Sequence, residues 1–431
     1  RRLQIGIQPF QVTKRQVLID RLIYGPAVVQ GASEHAAEQK IPREAAMAEV
    51  HRYAHEIVPA FNAYIYFRIG YFLARMLARS FYRVRLGWMD EEGIGGIGKD
   101  ATVVFVMNHR SNMDYVLVAF LAADRTALSY AVGEWARIWP LQSLIKSMGA
   151  YFVRRNSNNP LYRRVLERYV HMATEAGVAQ AVYPEGGLTR DGALSAPRTG
   201  LLDYMLKSFD PAGPRDVVFV PVGINYDRVV EDRSQLLAAK KAPRRGMGFA
   251  LRKTGGFILR QTGLMLRGRW YRFGYACVNF GTPVSVRAWL RERPERDLRG
   301  LSREQRFEAI QSLADALMAA VAGVVPVLPV PLVASVLLAR AGPASLLELK
   351  AACAGEMQRL RAAGARVYLP RGDEDYAIEV GLRMLALRHL VEERDGLFAV
   401  NPAETDLLRY YANSIAHLGR SGEFPPGQPP G

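Results

Sequence analysis

Three textures of hydrophobic and polar positions follow one another along the 431 residues. Up to about residue 85 the pattern is helical and becomes increasingly aromatic and basic. From about 86 to 285, short apolar runs alternate with amphipathic stretches. Beyond 286 the chain is rich in Ala, Leu and Arg and reads as helices with short breaks. In the middle region the run Ala101–Met107 predicts a buried strand that ends at Asn108-His109. Further strands are predicted over Ala150–Val153, Ala179–Tyr183 and Val217–Val222. Between them, Leu161–Glu175 places Val165, Leu166, Tyr169, Val170 and Ala173 on one helical face. This alternation predicts an α/β sheet domain over 86–285, between helical regions at 1–85 and 286–421. The tail 422–431, GEFPPGQPPG, lacks apolar periodicity and is expected to be disordered. Each predicted strand ends where a polar cluster begins, which is where open α/β sheets gather ligand-binding groups.

Two apolar stretches raise the question of a membrane. No charged residue lies between Asp315 and Arg340, a length sufficient to span a bilayer. Pro326, Pro329 and Pro331 interrupt it, so a buried helix–loop–helix or a re-entrant segment competes with a spanning helix. The stretch Val58–Arg83 mixes Phe61, Tyr64, Tyr66, Phe67 and Phe72 with several arginines. It suits an interfacial helix, with rings at headgroup depth and arginines reaching phosphates; a core helix with a basic outer face is the alternative.

Composition narrows the partners. Hydrophobic residues make up 49% and charged residues 23%, as in ordinary folded proteins. Cys277 and Cys353 are too few and too scattered for a disulfide framework or a thiolate metal site, so a reducing compartment and no bound metal are expected. No charged segment followed by an apolar stretch and a cleavage site opens the sequence, so no secretory leader is expected in it. The formal net charge of +16 points to polyanions: nucleic acid, an anionic bilayer or phosphorylated substrates. No zinc finger, RNP motif or basic zipper accompanies the charge, which argues against nucleic acid. From Lys240 to Arg272 there are ten Lys or Arg and no acid, interleaved with Phe249, Phe257, Trp270 and Tyr271. That segment suits an anionic leaflet or an acidic carrier protein, with a solvated basic face as the plain alternative.

The candidate chemistry sits at Asn108-His109-Arg-Ser-Asn-Met-Asp114, an H-x4-D pattern directly after a strand. Transfer of an acyl group to an alcohol needs a base, and imidazole is suited to that role near neutral pH. A neighbouring carboxylate fixes its tautomer and stabilises the imidazolium that forms. The spacing alone is common among proteins with several histidines, and a satisfied His beside a capping carboxylate gives the same letters. An ordered series of further blocks adds weight: Gly149-Ala-Tyr-Phe-Val-Arg154-Arg155, Pro184-Glu185-Gly186-Gly187-Leu-Thr-Arg190 and Val220-Pro221-Val222.

These four blocks resemble the motifs of the glycerolipid acyltransferases, most of all the bacterial glycerol-3-phosphate acyltransferases. The resemblance runs from about residue 100 to 230, and Leu407–Tyr411 with Asn413–Leu418 is similar to that family's end. It implies a mixed sheet flanked by helices, with an acyltransferase catalytic domain over 86–285. It also implies transfer of a fatty acyl group from acyl-CoA or acyl-carrier protein to glycerol 3-phosphate, giving lysophosphatidic acid. His109 is then the general base and Asp114 its orienting partner. Arg155, with Arg154, is expected to hold the acceptor phosphate, since a guanidinium binds phosphate oxygens bidentately. Glu185, Gly186 and Gly187 are expected to shape the acceptor site, with Arg190 and Arg198 as further phosphate ligands, and Pro221 is linked with the acyl-donor side. No cofactor or metal is implied. The expected location is the cytoplasmic face of the inner membrane, peripheral or monotopic.

One residue departs from the pattern: Leu188 stands where the bacterial relatives commonly carry Arg after the two glycines. A lysophosphatidate or other lysolipid acyltransferase therefore stays open as an alternative. A membrane-binding protein with a decayed site is the non-enzyme alternative.

Overall fold

The computed structural model describes residues 15–122, 128–132, 141–154, 157–239, 273–293 and 297–419. Among them, eight strands form one mixed sheet. In chain order they are β1 Arg83–Met89, β2 Thr102–Met107, β3 Ser129–Val132, β4 Tyr151–Phe152, β5 Gln180–Val182, β6 Val217–Tyr226, β7 Tyr275–Phe280 and β8 Val284–Ser285. Their spatial order is β1-β7-β6-β2-β5-β3-β4, with β8 beside β6. The pairings β6–β2, β2–β5, β5–β3, β3–β4 and β1–β7 are parallel; β6 meets β7 and β8 in antiparallel fashion.

β2 and β6 are buried along their whole length, as their uninterrupted apolar text requires for central strands covered on both faces. Side chains alternate between the faces. Val103, Phe105 and Met107 enter one core, and Val104 and Val106 enter the other. The first core receives helices Met113–Ala122, Pro329–Ala339, Leu346–Ala362, Glu374–Ala386 and Thr405–Asn413. The second receives the N-terminal helices, Pro160–Glu175, Gly200–Leu206 and Arg303–Val324. The regions read from sequence thus share their cores. The C-terminal region also holds a small antiparallel sheet of Ala344–Ser345 (β9), Val391–Arg394 (β10) and Leu397–Val400 (β11), in the order β10-β11-β9. The sequence pattern did not reveal it, because its strands are only two to four residues long.

The predicted helix after β4 spans Pro160–Glu175; Asn159 caps it, accepting from the Tyr162 N–H, and all five predicted apolar positions are buried. β6 runs on to Tyr226, four residues beyond the predicted strand. Pro221 sits inside it at a point where the neighbour on one edge changes from β8 to β7, so the missing N–H breaks no bond on that edge. Its carbonyl accepts from Gly281.

The uncharged stretch 315–340 folds as a helix–loop–helix. Helix Arg303–Val324 is long and apolar enough to cross a membrane by length and composition. Here its Ile310, Leu313, Leu317 and Val321 are buried in the second core. The prolines start the next helix at Pro329, a position where the N–H is not needed. The carbonyls released at the break are taken by buried amides: Asn279 Nδ2 donates to Val324 at 2.9 Å and Asn225 Nδ2 to Pro326 at 3.0 Å. The aromatic stretch forms a π-helix at Ile65–Gly70 that continues as helix Tyr71–Phe81. Tyr66, Ala74 and Ala78 face inward, while Tyr64, Phe67, Ile69, Phe72 and Met76 are exposed. The basic segment 240–272 and the tail 422–431 lie outside the described residues.

Candidate active site

The site forms where β2 ends. Asn108 is buried, and its side chain extends the β2–β6 pairing past the last residue pair, Met107↔Val222. Its Oδ1 accepts from the Ile224 N–H at 2.8 Å and its Nδ2 donates to the Ile224 carbonyl at 2.9 Å. His109 then leaves the sheet at a fixed point. Ser111 and Asn112 bridge to helix Met113–Ala122, whose first turn carries Asp114.

His109 Nδ1 lies 2.9 Å from Asp114 Oδ2, and both side chains are buried. A carboxylate accepts only, so Nδ1 carries the proton and the Nε2 lone pair is free. That Nε2 is buried and has no partner among the described residues. The same Asp114 oxygen accepts the N–H groups of Arg110 at 2.7 Å and Ser111 at 3.0 Å. Its other oxygen accepts the Tyr226 hydroxyl at 2.5 Å. Four donors therefore fix one carboxylate, and through it the imidazole. Burial, and next the charge of Asp114, push the Tyr226 phenol well above its usual range, so it stays a donor. Tyr183 stacks at 4.2 Å between ring centroids on the imidazole, and Tyr115 meets it edge-on at 5.4 Å. These contacts leave the ring little rotational freedom.

The intervening motif letters have their own partner. Ser111 Oγ donates to Glu231 Oε2 at 2.7 Å, and the Asn112 amide nitrogens donate to Oε1 at 3.0 and 3.2 Å. Burial raises the Glu231 carboxyl. Arg110 is buried; its Nη1 donates to the Gly192 carbonyl at 2.7 Å, and its guanidinium lies 5.5 Å from the Tyr410 ring centroid. The C-terminal helix thus braces the loop after the third block. At Gly192, with φ near +88°, a Cβ would collide with the Tyr410 carbonyl. Asn108, Arg110, Tyr226 and Glu231 had no role assigned from sequence. For the first two, the signal was their place inside the first motif; Tyr226 and Glu231 are scattered and become visible only in the fold.

The phosphate-binding expectations divide. Arg154 is engaged within the protein: its guanidinium forms a bidentate pair with Glu56, at 2.9 and 2.6 Å, and lies against Tyr53 and Tyr162. The side-chain hydrogen bond to Glu56 holds it above the usual arginine range, and one Nε and one Nη2 N–H are committed to that pair. Arg155 lies outside the described residues. Arg190 and Arg198 are exposed, and neither has an ion-pair partner among the described residues. The Arg198 side chain runs across Gly186, where a Cβ would sit 2.7 Å from its Cδ; Gly186 also needs its φ of +70°. Gly187 is half-buried beside it.

Glu185, expected to shape the acceptor site, faces the main chain. It is buried, and both of its oxygens are taken by backbone amides: Oε1 by His109 at 2.8 Å and Oε2 by Ser195 at 2.9 Å. Burial pushes its carboxyl up to about 7, against the two amides and Arg110, which favour the ion.

Comparison with known proteins fits this geometry. The family model described as Acyltransferase matches residues 91–225, from before β2 into β6. A second, described as Glycerol-3-phosphate acyltransferase C-terminal region, matches residues 263–419. The His–Asp pair at the end of a central strand of the α/β sheet lies under the first of these matches. The glycerol-3-phosphate acyltransferase of Pseudomonas putida (strain W619) is 29% identical over 97% of this chain and 50% of its own length. That of Pseudomonas entomophila (strain L48) is 28% identical over the same shares. The chain is thus similar to glycerol-3-phosphate acyltransferases along nearly its whole length. It spans about half the length of the curated relatives it matches. Among solved structures, the 1-acyl-sn-glycerophosphate (LPA) acyltransferase from Thermotoga maritima aligns with 71% of this chain and 97% of its own, at 18% identity and a TM-score of 0.31.

Proposed function

We propose that this chain is a glycerol-3-phosphate 1-O-acyltransferase that takes its acyl group from acyl-CoA or acyl-carrier protein. The observation that carries the reading is the buried His109–Asp114 pair with the imidazole Nε2 left unpartnered. Nε2 removes the proton from the acceptor hydroxyl as that oxygen attacks the thioester carbonyl. The tetrahedral intermediate collapses by breaking the C–S bond, and the imidazolium returns the proton to the departing thiolate. The imidazolium formed in between is stabilised by Asp114, whose four donors keep it in place. The balance closes without a cofactor. Arg190 and Arg198 supply unpaired guanidinium groups beside the third block for the acceptor phosphate, and Pro221 is the candidate on the acyl-donor side.

The membrane reading rests on helix Tyr71–Phe81 and the turn before it. Exposed Tyr64, Phe67, Phe72 and Met76 lie among exposed Arg68 and Arg75, the pairing an anionic interface favours. A peripheral position on the cytoplasmic leaflet places the enzyme where its product partitions. Liposome flotation with and without anionic lipid tests this, and binding that ignores F72E together with R75E removes this surface from consideration.

The acceptor is decided by incubating purified protein with an acyl thioester and either glycerol 3-phosphate or 1-acylglycerol 3-phosphate in detergent–lipid mixtures. Lysophosphatidate from the first acceptor supports the proposal. Reaction with the second alone would make Leu188 the mark of a lysolipid acyltransferase.

A further inference from the structure

The third sequence block holds the catalytic histidine by its main chain from both sides. The His109 N–H donates to Glu185 Oε1 at 2.8 Å, and the His109 carbonyl accepts the Thr189 N–H at 3.0 Å. The other Glu185 oxygen accepts the Ser195 N–H at 2.9 Å, so a single carboxylate ties the loop after β2 to the loop that closes over it. Thr189 closes the same turn: its hydroxyl accepts the Gly192 N–H at 3.1 Å and donates to the Ala193 carbonyl at 2.7 Å. Gly192 is gripped in turn by Arg110, the residue after the histidine. Tyr183, two residues before Glu185, supplies the ring stacked on the imidazole. The contacts of Glu185, Thr189 and Tyr183 land on His109 itself, and those through Ser195, Gly192 and Ala193 hold together the loop that makes them, which begins at the end of β5. Both Glu185 oxygens accept from amides of the chain itself and the side chain is buried, so the carboxylate faces the main chain rather than solvent.

We propose that Glu185 is a positioning residue: it fixes the His109 main chain at the distance proton transfer requires, and it does not bind the acceptor. The proposal rests on the acyltransferase reading for its kinetic consequence, not for its geometry. A base whose backbone drifts by about 1 Å loses on the order of a hundredfold in rate while substrate binding is untouched.

The isosteric variant E185Q separates the two roles, because one end of its amide presents N–H groups to an amide donor. In E185Q, kcat for acyl transfer should fall about a hundredfold, with KM for glycerol 3-phosphate changed less than twofold. E185D keeps the charge but is one methylene too short to span both amides, so its kcat should lie between those of E185Q and the wild type. A raised KM with kcat unchanged in both variants overturns the proposal. Amide hydrogen exchange over 108–114 gives a readout that needs no activity: faster exchange at His109 in E185Q or E185D supports the brace, and unchanged exchange overturns it. An inactive wild type with fast exchange in the variants would count against the enzyme reading and leave the brace standing.

Discussion

Two loops meet over the end of the sheet, and they are built to opposite rules. The loop from His109 to Asp114 is largely buried, and its Asp114 carboxylate and the Ser111 and Asn112 side chains have protein partners, while His109 Nε2 and Arg110 Nε and Nη2 are buried without one among the described residues. The loop that follows Glu185 begins with the same economy, then turns outward and leaves Arg190 and Arg198 in solvent without ion-pair partners. Proton transfer tolerates little error in distance, so its groups are preset by hydrogen bonds that exist before any substrate arrives. A phosphate is bound by charge and by flexible side chains, so its ligands can wait in water. Arg154 shows the opposite case: once matched to Glu56 it belongs to the scaffold.

The sharpest break of this comparison is H109A. Removing the base should lower kcat by roughly 10³- to 10⁴-fold, and it should leave liposome binding intact. Steady-state acyl transfer and flotation check both halves, and near-normal turnover would end the proposed mechanism.

Next in size is the pH dependence of the brace. Glu185 titrates near 7 in the folded state against an ordinary value of 4.5. A carboxyl raised on folding contributes stability below its unfolded value and loses it as pH rises through the folded one. Between pH 4.5 and 7 the wild type should therefore lose roughly 3 kcal/mol relative to E185Q. Urea unfolding of both proteins at several pH values measures the difference. Asp227, raised by burial to about 7 and accepting from Tyr275 and Val330, drives the same trend in both proteins and cancels in the comparison.

The outward half is probed by R190A with R198A. Losing two charge-assisted contacts should raise KM for glycerol 3-phosphate about 30-fold, roughly 2 kcal/mol, with kcat near the wild-type value. A fall in kcat alone would move these arginines into the preset half. The smallest effect is expected from Y226F, which removes one of the four donors to Asp114. With three remaining, kcat should drop about tenfold and KM stay constant.

Much of this was legible before the fold. The apolar runs of β2, β5 and β6 announced buried strands because the central strands of a parallel sheet have no polar face to alternate. The His109–Asp114 contact was legible for a local reason: a strand end and the first turn of the next helix place residues five apart within reach of each other. The short strand β3 and the β9–β11 sheet carry too few residues for a period to show, whereas β4 was marked by the apolar run Ala150–Val153. Pairings across long sequence separations were hidden as well: Arg154 with Glu56, Tyr226 with Asp114, Gly192 with Tyr410.

The sequence by itself determined the chemistry on offer: one imidazole with a carboxylate at short range, glycines where a turn needs them, and arginines enough for a phosphate. Tertiary structure alone decided how those groups were spent. It turned Glu185 from a prospective substrate ligand into a brace, committed Arg154 to the scaffold, and folded the uncharged stretch 315–340 against the sheet. The physical reason is that a hydrogen bond or an ion pair uses up a donor or acceptor, and which partner reaches it first depends on distances in space that letters along a chain do not carry.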